Sequence, residues 1–389
     1  MSRIIGSPLR YIQGNNQIEN IGNDIKDWGT SFFFLVDKVL YDRYVPIIKK
    51  TLAKQLSKAK VTFERFAGEC TMKECKRIAS SCQKAKADCL ITFGGGKGCD
   101  TGKVAAALNN IHLIVFATAA STDAPCSHSS IIYKENGEFD QYFYSPIKGH
   151  GGKSPDVVIV DCNIIAQAPA RLLACGLGDA LSTYFEARSC HQTEERNITE
   201  WKGQQSLTGY ALAKLCYEAI IADGEKAMVA CDLKVSTKAL ENVVEANTYL
   251  STIGFESGGL GAAHSIQDAL GIIPAVHKNY HGEKVAFGTI CHLVLENASF
   301  DEIKKVIKFC YNVGLPITLE DLFIGDVSDA DLKKVAAKAT GPGVPMGNMP
   351  FKVHANDVFA AIKVADRLGK QYKEKRSIKK SVVIPYNHR

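Results

Sequence analysis

The sequence predicts an α/β chain in two parts, a parallel sheet flanked by helices followed by a region that is helical throughout. Three observations carry this expectation. Short β-branched or aromatic runs alternate with longer helix-like stretches in the first part, a glycine-rich turn joins one such run to one such helix, and strand signals largely vanish beyond about residue 162. Alternation of this kind builds parallel sheets, because parallel neighbours need a crossover and a helix usually supplies it.

Ser31-Phe-Phe-Phe-Leu-Val36 is short and unbroken in its apolar character, as a strand buried on both faces should be. Residues 49–59 follow with helical composition, 61–66 read as a second strand, 71–86 as a helix and 89–93 as a third strand. Residues 102–109 then read as helix and 113–116 as strand. A hairpin is expected where Ser130-Ile-Ile-Tyr133 and Gln141-Tyr-Phe-Tyr144 flank the turn Glu135-Asn136-Gly137. Lys148-Gly-His-Gly-Gly-Lys-Ser154 has the composition of a surface loop, and Pro155-Asp-Val-Val-Ile-Val160 that of one more buried strand. Helical patterns then run to Arg367, so the expected domains are residues 1–161 and 162–389.

The bulk composition fits a two-domain globular protein. The chain has 389 residues, 46% hydrophobic and 23% charged, which is longer than one core usually supports. A formal charge of +6 is scattered, and its densest run, residues 370–380, reads as a solvated tail. Without a basic stripe interleaved with aromatics, a nucleic-acid partner is not expected. No stretch approaches the length of a membrane span, and residues 1–14 lack the basic patch and apolar core of a secretory signal. The thirteen cysteines are odd in number and dispersed, with no C-x-x-C pair, so buried free thiols in a reducing cytoplasm are expected rather than disulfides.

Between one strand and the next helix lies Gly94-Gly95-Gly96-Lys97-Gly98-Cys99-Asp100-Thr101-Gly102-Lys103. Glycines let a backbone take positive φ and approach a ligand closely, and amides at a helix N-terminus favour an anion. The run matches neither G-x-G-x-x-G nor the Walker spacing. A tight turn needing glycine for geometry alone is the plainer reading, but three consecutive glycines exceed that need. Asp100 and Thr101 also read as N-cap residues of the helix.

Four segments, taken together and in order, resemble the glycerol dehydrogenase family, within the wider iron-or-zinc group III alcohol dehydrogenases. They are Gly94-Gly-Gly-Lys-Gly-Cys-Asp-Thr101, Thr118-Ala-Ala-Ser-Thr-Asp-Ala-Pro-Cys126, Gly176-Leu-Gly-Asp-Ala-Leu-Ser-Thr-Tyr-Phe-Glu-Ala187, and Gly258-Gly-Leu-Gly-Ala-Ala-His264 with His281-Gly-Glu-Lys-Val-Ala-Phe-Gly288. The resemblance implies an N-terminal NAD-binding domain and an all-α C-terminal domain, the dehydroquinate synthase-like architecture, with catalysis between them. It implies that Gly94, Gly95, Gly96 and Gly98 hold the pyrophosphate with Lys97 and Asp100 nearby. Thr118, Ser121, Ser127, Ser129 and Tyr133 would surround the nicotinamide and its ribose, Ser129 through its backbone alone. Asp37 matches the position that binds the adenosine ribose, where a carboxylate accepts from the hydroxyls and repels a 2′-phosphate, favouring NAD over NADP.

The resemblance also assigns three metal ligands, Asp179, His264 and His281, a set suited to zinc with an open fourth position. His264 is expected in one helical stretch, residues 258–270. His281 would begin another helix, and Asp179 would follow a turn at Gly176-Leu-Gly178. Taken singly, each has a plainer reading, a core histidine or a helix N-cap. Iron-type relatives carry a His four residues after the Asp, where this chain has Thr183, so the three-ligand zinc pattern fits better. His277 reads as a group behind the ligands or as loop surface, and His292 receives no role.

The implied reaction is NAD-dependent oxidation of glycerol to dihydroxyacetone, with zinc polarising the alcohol oxygen and hydride passing to the nicotinamide. Asp123 matches the residue that contacts substrate hydroxyls, although it also reads as a turn-former before proline. Where glycerol dehydrogenases commonly carry a second His, this chain has Gln267, one helical turn beyond His264. That difference keeps another polyol or 1,2-diol open as substrate. A zinc- and NAD-using lyase of the dehydroquinate synthase type and a non-catalytic NAD-binding relative are further alternatives. The resemblance also implies a homo-oligomer, often an octamer.

Overall fold

Six parallel strands form the central sheet of the computed structural model, which describes residues 2–144, 146–147, 151–193 and 203–381. In chain order the strands are β1 (Arg10–Gly14), β2 (Ser31–Asp37), β3 (Lys60–Phe66), β4 (Cys89–Gly94), β5 (His112–Ala117), the hairpin β6 (Ser129–Tyr133) and β7 (Phe139–Tyr144), the short pair β8 (Pro146–Ile147) and β9 (Gly151–Gly152), and β10 (Val157–Asp161). The order across the sheet is β1-β10-β5-β4-β2-β3. Helices α1 (Ile21–Ile25), α2 (Tyr41–Gln55), α3 (Met72–Ala85) and α4 (Gly96–Asn109) run between the strands.

From Cys162 onward the described chain forms no named strand. It comprises α5 (Cys162–Gln167), α6 (Ala170–Thr193), α7 (Leu207–Asp232), α8 (Lys238–Glu245), a π-helical turn Ala246–Leu250, α9 (Ser251–Gly258), α10 (Ala262–Leu270), α11 (His281–Leu295), α12 (Phe300–Asn312), α13 (Asp329–Ala339) and α14 (Ala355–Ser381).

The apolar run in β2 behaves as a two-faced strand. Phe33 and Leu35 join the core cluster shared with α3, α4 and the helical region, while Phe32, Phe34 and Val36 join the cluster under α1 and α2. This is the period-two alternation of a strand with both faces covered. The chain leaves β2 to one side for β3 and returns to its other side for β4. Such a reversal opens a crevice at the strands' carboxyl ends, and Asp37 and Gly94 end the two strands that flank it.

Several sequence expectations need correction. The helix expected at 49–59 begins at Tyr41, because Tyr44, Val45, Ile48 and Leu52 already supply a buried stripe and Pro46 is accommodated inside it. Strand β1, an edge strand of mixed polarity, was not legible. Gly176-Leu-Gly178 is no turn but part of the 24-residue helix α6. The stretch 258–270 is broken in two at Gly259, whose φ of 99° ends α9. The charged run at 370–380 continues α14 rather than forming a tail. The loop expected at 148–154 lies partly outside the described residues. The thirteen cysteines are all free and buried. No helix among the described residues is long and apolar enough to cross a membrane.

Candidate metal and cofactor site

Asp179, His264 and His281 come from three helices, and small residues beside each explain how they meet. A Cβ added at Gly178 would lie 2.3 Å from the Gly282 carbonyl oxygen, and one at Gly282 would lie 1.8 Å from that of Cys175. Helices α6 and α11 therefore touch backbone to backbone, at residues adjacent to Asp179 and His281. A Cβ at Gly288 would lie 2.4 Å from the Ala263 carbonyl oxygen, so α10 and α11 touch beside His264.

The result is a convergent donor set. The Nε2 atoms of His281 and His264 stand 3.2 and 3.5 Å from Asp179 Oδ1. Two donors each about 2.1 Å from a tetrahedral ion would be about 3.4 Å apart, so the spacing matches a shared cation. Asp179 is only 2% exposed, yet neither of its carboxylate oxygens has a hydrogen-bond partner. An unpartnered buried carboxylate is costly unless a cation completes it. Burial alone would raise the Asp179 carboxyl; the facing imidazoles of His281 and His264 reverse this and hold it well below the usual carboxylate range.

Behind His264 stands Glu186, seven residues after Asp179 on α6 and fully buried. Its Oε2 lies 2.6 Å from His264 Nδ1, and its Oε1 accepts from the backbone N–H of Gly261 (2.8 Å) and of His264 (3.0 Å). A carboxylate on Nδ1–H fixes the tautomer that leaves Nε2 free to ligate. Burial opposes the charges here, but the His264–Glu186 contact dominates, raising the imidazole well above its ordinary value and lowering the carboxyl. Glu186 was not foreseen as a site residue, although its heptad spacing from Asp179 was the available signal. His277 is exposed on the turn Pro274–Lys278, so the supporting role falls to Glu186 instead. His292 is a core residue, its Nε2 3.2 Å from Ser189 Oγ.

Asp123 is half-buried, on the loop after β5. Ser251 Oγ donates to its Oδ2 at 3.1 Å, and Thr252 Oγ1 lies 2.7 Å from both its backbone carbonyl and that of Thr248. Burial first, then the nearby Asp179 charge, push the Asp123 carboxyl well above its usual range. Gln267 is buried on α10, and its amide oxygen has no hydrogen-bond partner. At Thr183 the side chain is a buried hydroxyl 3.1 Å from Ser251 Oγ.

The glycine turn differs from its sequence reading in two respects. Helix α4 begins at Gly96 with Gly95 as N-cap, and none of Gly94, Gly95, Gly96 and Gly98 has positive φ. Their value is space: an added Cβ would meet nothing closer than 3.3 Å, the Thr122 hydroxyl facing Gly96. Side chains are therefore absent where the fold itself would tolerate them, and the backbone at the α4 N-terminus stays bare for a ligand. Asp37 lies alongside, its Cβ 3.5 Å from the Gly94 Cβ position. Lys97 pairs with Glu69 at 2.5 Å and lies over the Tyr133 ring. Thr118 N–H donates to the Gly94 carbonyl at 3.1 Å, which places the start of its loop against the turn. Ser121 is half-buried in that loop.

Asp100 and Thr101 are buried in the second turn of α4, not N-caps. Instead, Lys103, buried to 1% exposure, gathers Asp100 Oδ1 (3.0 Å), Ser127 Oγ (2.9 Å) and the Ser129 carbonyl (2.8 Å) around its ammonium. Asp100 Oδ2 accepts from Ile131 N–H at 3.1 Å. Asp100 and Ser127 thus tie α4 to the hairpin, and Ser129 takes part through its backbone. Lys103 was missed because a charged residue among Val104 and three alanines reads as helix surface.

Known proteins resemble this chain in sequence and fold. A family profile for iron-containing alcohol dehydrogenases matches residues 8–162. A glycerol dehydrogenase of Escherichia coli O6:H1 is 43% identical over 374 residues, which is 96% of this chain and 99% of that protein. The chain belongs to the glycerol dehydrogenase family. The crystal structure of glycerol dehydrogenase from Schizosaccharomyces pombe, 33% identical, superposes with a TM-score of 0.89 over 96% of this chain and 93% of that one. A glycolaldehyde reductase of Halobacterium salinarum is 37% identical over 96% of this chain and the whole of that protein. The expected family and fold are thereby borne out, and the chain is an alcohol dehydrogenase.

Proposed function

We propose that the chain catalyses the reversible, NAD-dependent oxidation of glycerol to dihydroxyacetone, with one zinc ion held by Asp179, His264 and His281. The convergence of these three side chains, with Glu186 behind His264, carries the reading. When bound, zinc supplies polarisation of the alcohol oxygen and NAD the acceptor for the hydride. A three-residue donor set leaves a fourth position for substrate. Thr183 supports zinc over iron, since its hydroxyl is engaged with Ser251 and offers no imidazole.

The chain's own residues then divide the work. Asp123, close enough to Asp179 and His264 to feel their charges, orients a substrate hydroxyl. Gly94, Gly95, Gly96 and Gly98 admit the pyrophosphate to the α4 N-terminus with Lys97 beside it, and Asp37 binds the adenosine ribose. Thr118, Ser121 and Tyr133 line the nicotinamide end, while Asp100, Ser127 and the Ser129 carbonyl hold the cradle's shape through Lys103. The division of labour follows the proposed domains, 1–161 for NAD and 162–389 for metal and substrate. A homo-oligomer, such as an octamer, is part of the same proposal. Thirteen buried free thiols accord with a reducing cytoplasm.

NAD reduction measured across a panel of alcohols tests the reading. Glycerol should be among the best substrates and activity should vanish on chelation; metal-independent turnover would contradict it. A second reading, another small polyol or 1,2-diol, is favoured by Gln267, whose unpartnered amide oxygen suits a substrate hydroxyl. Within the same panel, a 1,2-diol outperforming glycerol would select it.

A further inference from the structure

Resting on the proposed contact between Asp123 and substrate, we infer that Thr183 and Ser251 are positioning residues for Asp123. They form a chain of two hydroxyls that fixes one carboxylate oxygen and presents the other to the substrate. The direction of the chain follows from counting protons. Each hydroxyl has one to donate. Ser251 Oγ gives its proton to Asp123 Oδ2 at 3.1 Å, so at the 3.1 Å contact between Thr183 Oγ1 and Ser251 Oγ the threonine is the donor.

Three features hold this chain in place. Thr183 and Ser251 are 1% and 0% exposed, so water does not compete for either hydroxyl. The Asp179 carbonyl, to which Thr183 would ordinarily turn back along its helix, is taken by Ser182 Oγ at 2.9 Å. A Cβ at Gly254 would lie 2.5 Å from Thr183 Cγ2, so α9 passes close enough to fix the threonine's rotamer.

The segment that carries Ser251 is itself unusual. It follows directly on the π-helical turn Ala246–Leu250, a geometry that re-aims side chains. Asn247 Nδ2 donates to the Ala120 carbonyl at 3.1 Å, and Thr252 Oγ1 lies 2.7 Å from both the Asp123 and the Thr248 carbonyls, its one proton shared between them. Those two bonds already grip the backbone of the 118–126 loop. Ser251 alone reaches a carboxylate, and what it adds is orientation of the side chain.

The test is steady-state kinetics with glycerol and NAD, together with metal content, on Ser251→Ala, Thr183→Val, Thr183→Ser, Asp123→Asn and the Ser251→Ala/Asp123→Asn double variant. Losing one hydrogen bond to a charged group should raise the KM for glycerol about tenfold in Ser251→Ala. The KM for NAD and the metal content should stay within about twofold, within the usual scatter of such measurements. Thr183→Val keeps the side chain's shape and should show a smaller rise, which Thr183→Ser recovers. In the Asp123→Asn background the acceptor is a neutral amide oxygen, so Ser251→Ala should have a clearly smaller effect. An undiminished Ser251→Ala effect in that background would overturn the inference. If Asp123→Asn raises the KM for glycerol and Ser251→Ala does not, the role of Asp123 stands and this inference alone falls. If Asp123→Asn changes nothing, both fall.

Discussion

Two groups of glycines, one beside the metal-ligand candidates and one at the start of α4, do opposite things. At Gly178, Gly282 and Gly288 a Cβ would run into backbone oxygens at 1.8–2.4 Å, so glycine there lets helices touch. At Gly94, Gly95, Gly96 and Gly98 a Cβ would meet nothing closer than 3.3 Å, so glycine there leaves room. The first group is consumed by the fold and delivers Asp179, His264 and His281 to one point. The second is not needed for packing, which is what the proposed pyrophosphate contact requires. One residue type thus marks both a packing constraint and an open backbone surface, and only the surroundings tell them apart.

The sharpest way to break this comparison is Gly282→Ala. It should destabilise the protein by about 2–3 kcal/mol or more, as overpacking against backbone does, and should lose the metal. Thermal unfolding and metal content check it; a variant with unchanged Tm and full metal content would refute the account of how the ligands meet. Next in size, Glu186→Gln should weaken metal affinity or activity by about 10–100-fold while NAD binding is retained. Metal titration followed by calorimetry reads this directly. From the other group, Gly95→Ala should weaken NAD binding by roughly tenfold with Tm within about 2 °C of the parent. A large fall in Tm would move Gly95 into the packing class.

The smallest effect is a pH dependence. In the metal-free protein His264 is held well above its ordinary value of 6.5, so its contribution to stability is full below that value and is lost as pH rises through the raised one. Asp179 is held low, so its contribution is present above its ordinary value of 3.8 and is lost only at strongly acid pH. A bound cation must displace the proton on His264, so metal affinity should fall as pH is lowered. The gap in Tm between metal-loaded and metal-free protein should therefore widen with rising pH; a constant gap would contradict this.

Legibility in the sequence followed how local each feature is. Strand β2 and the glycine turn are encoded within single strand–turn–helix units and were readable from the residues, while Asp37 was named through the family resemblance. Asp179 was not readable from the residues, because the glycines around it look like a turn; they sit inside a helix because Gly178 is pressed against the Gly282 backbone and Gly176 against the Ala120 carbonyl. His264 and His281 needed the family resemblance, since their meeting depends on a helix crossing. Glu186 and Lys103 were invisible for a related reason. A buried charge is recognised by its partners, and those lie at His264 and Gly261 for one, and at Ser127 and Ser129 for the other. Strand β1 went unread because Arg10-Tyr-Ile-Gln has neither clean alternation nor an unbroken apolar run.

The central claim is that Asp179, His264 and His281 hold one catalytic zinc ion. It is tested most directly by measuring metal content and glycerol-dependent NAD reduction on the same samples, before chelation, after it, and after adding back zinc or ferrous iron. The account predicts one metal ion per chain, activity lost with the metal, and recovery with zinc above that with iron. Full activity in protein stripped of metal would contradict it.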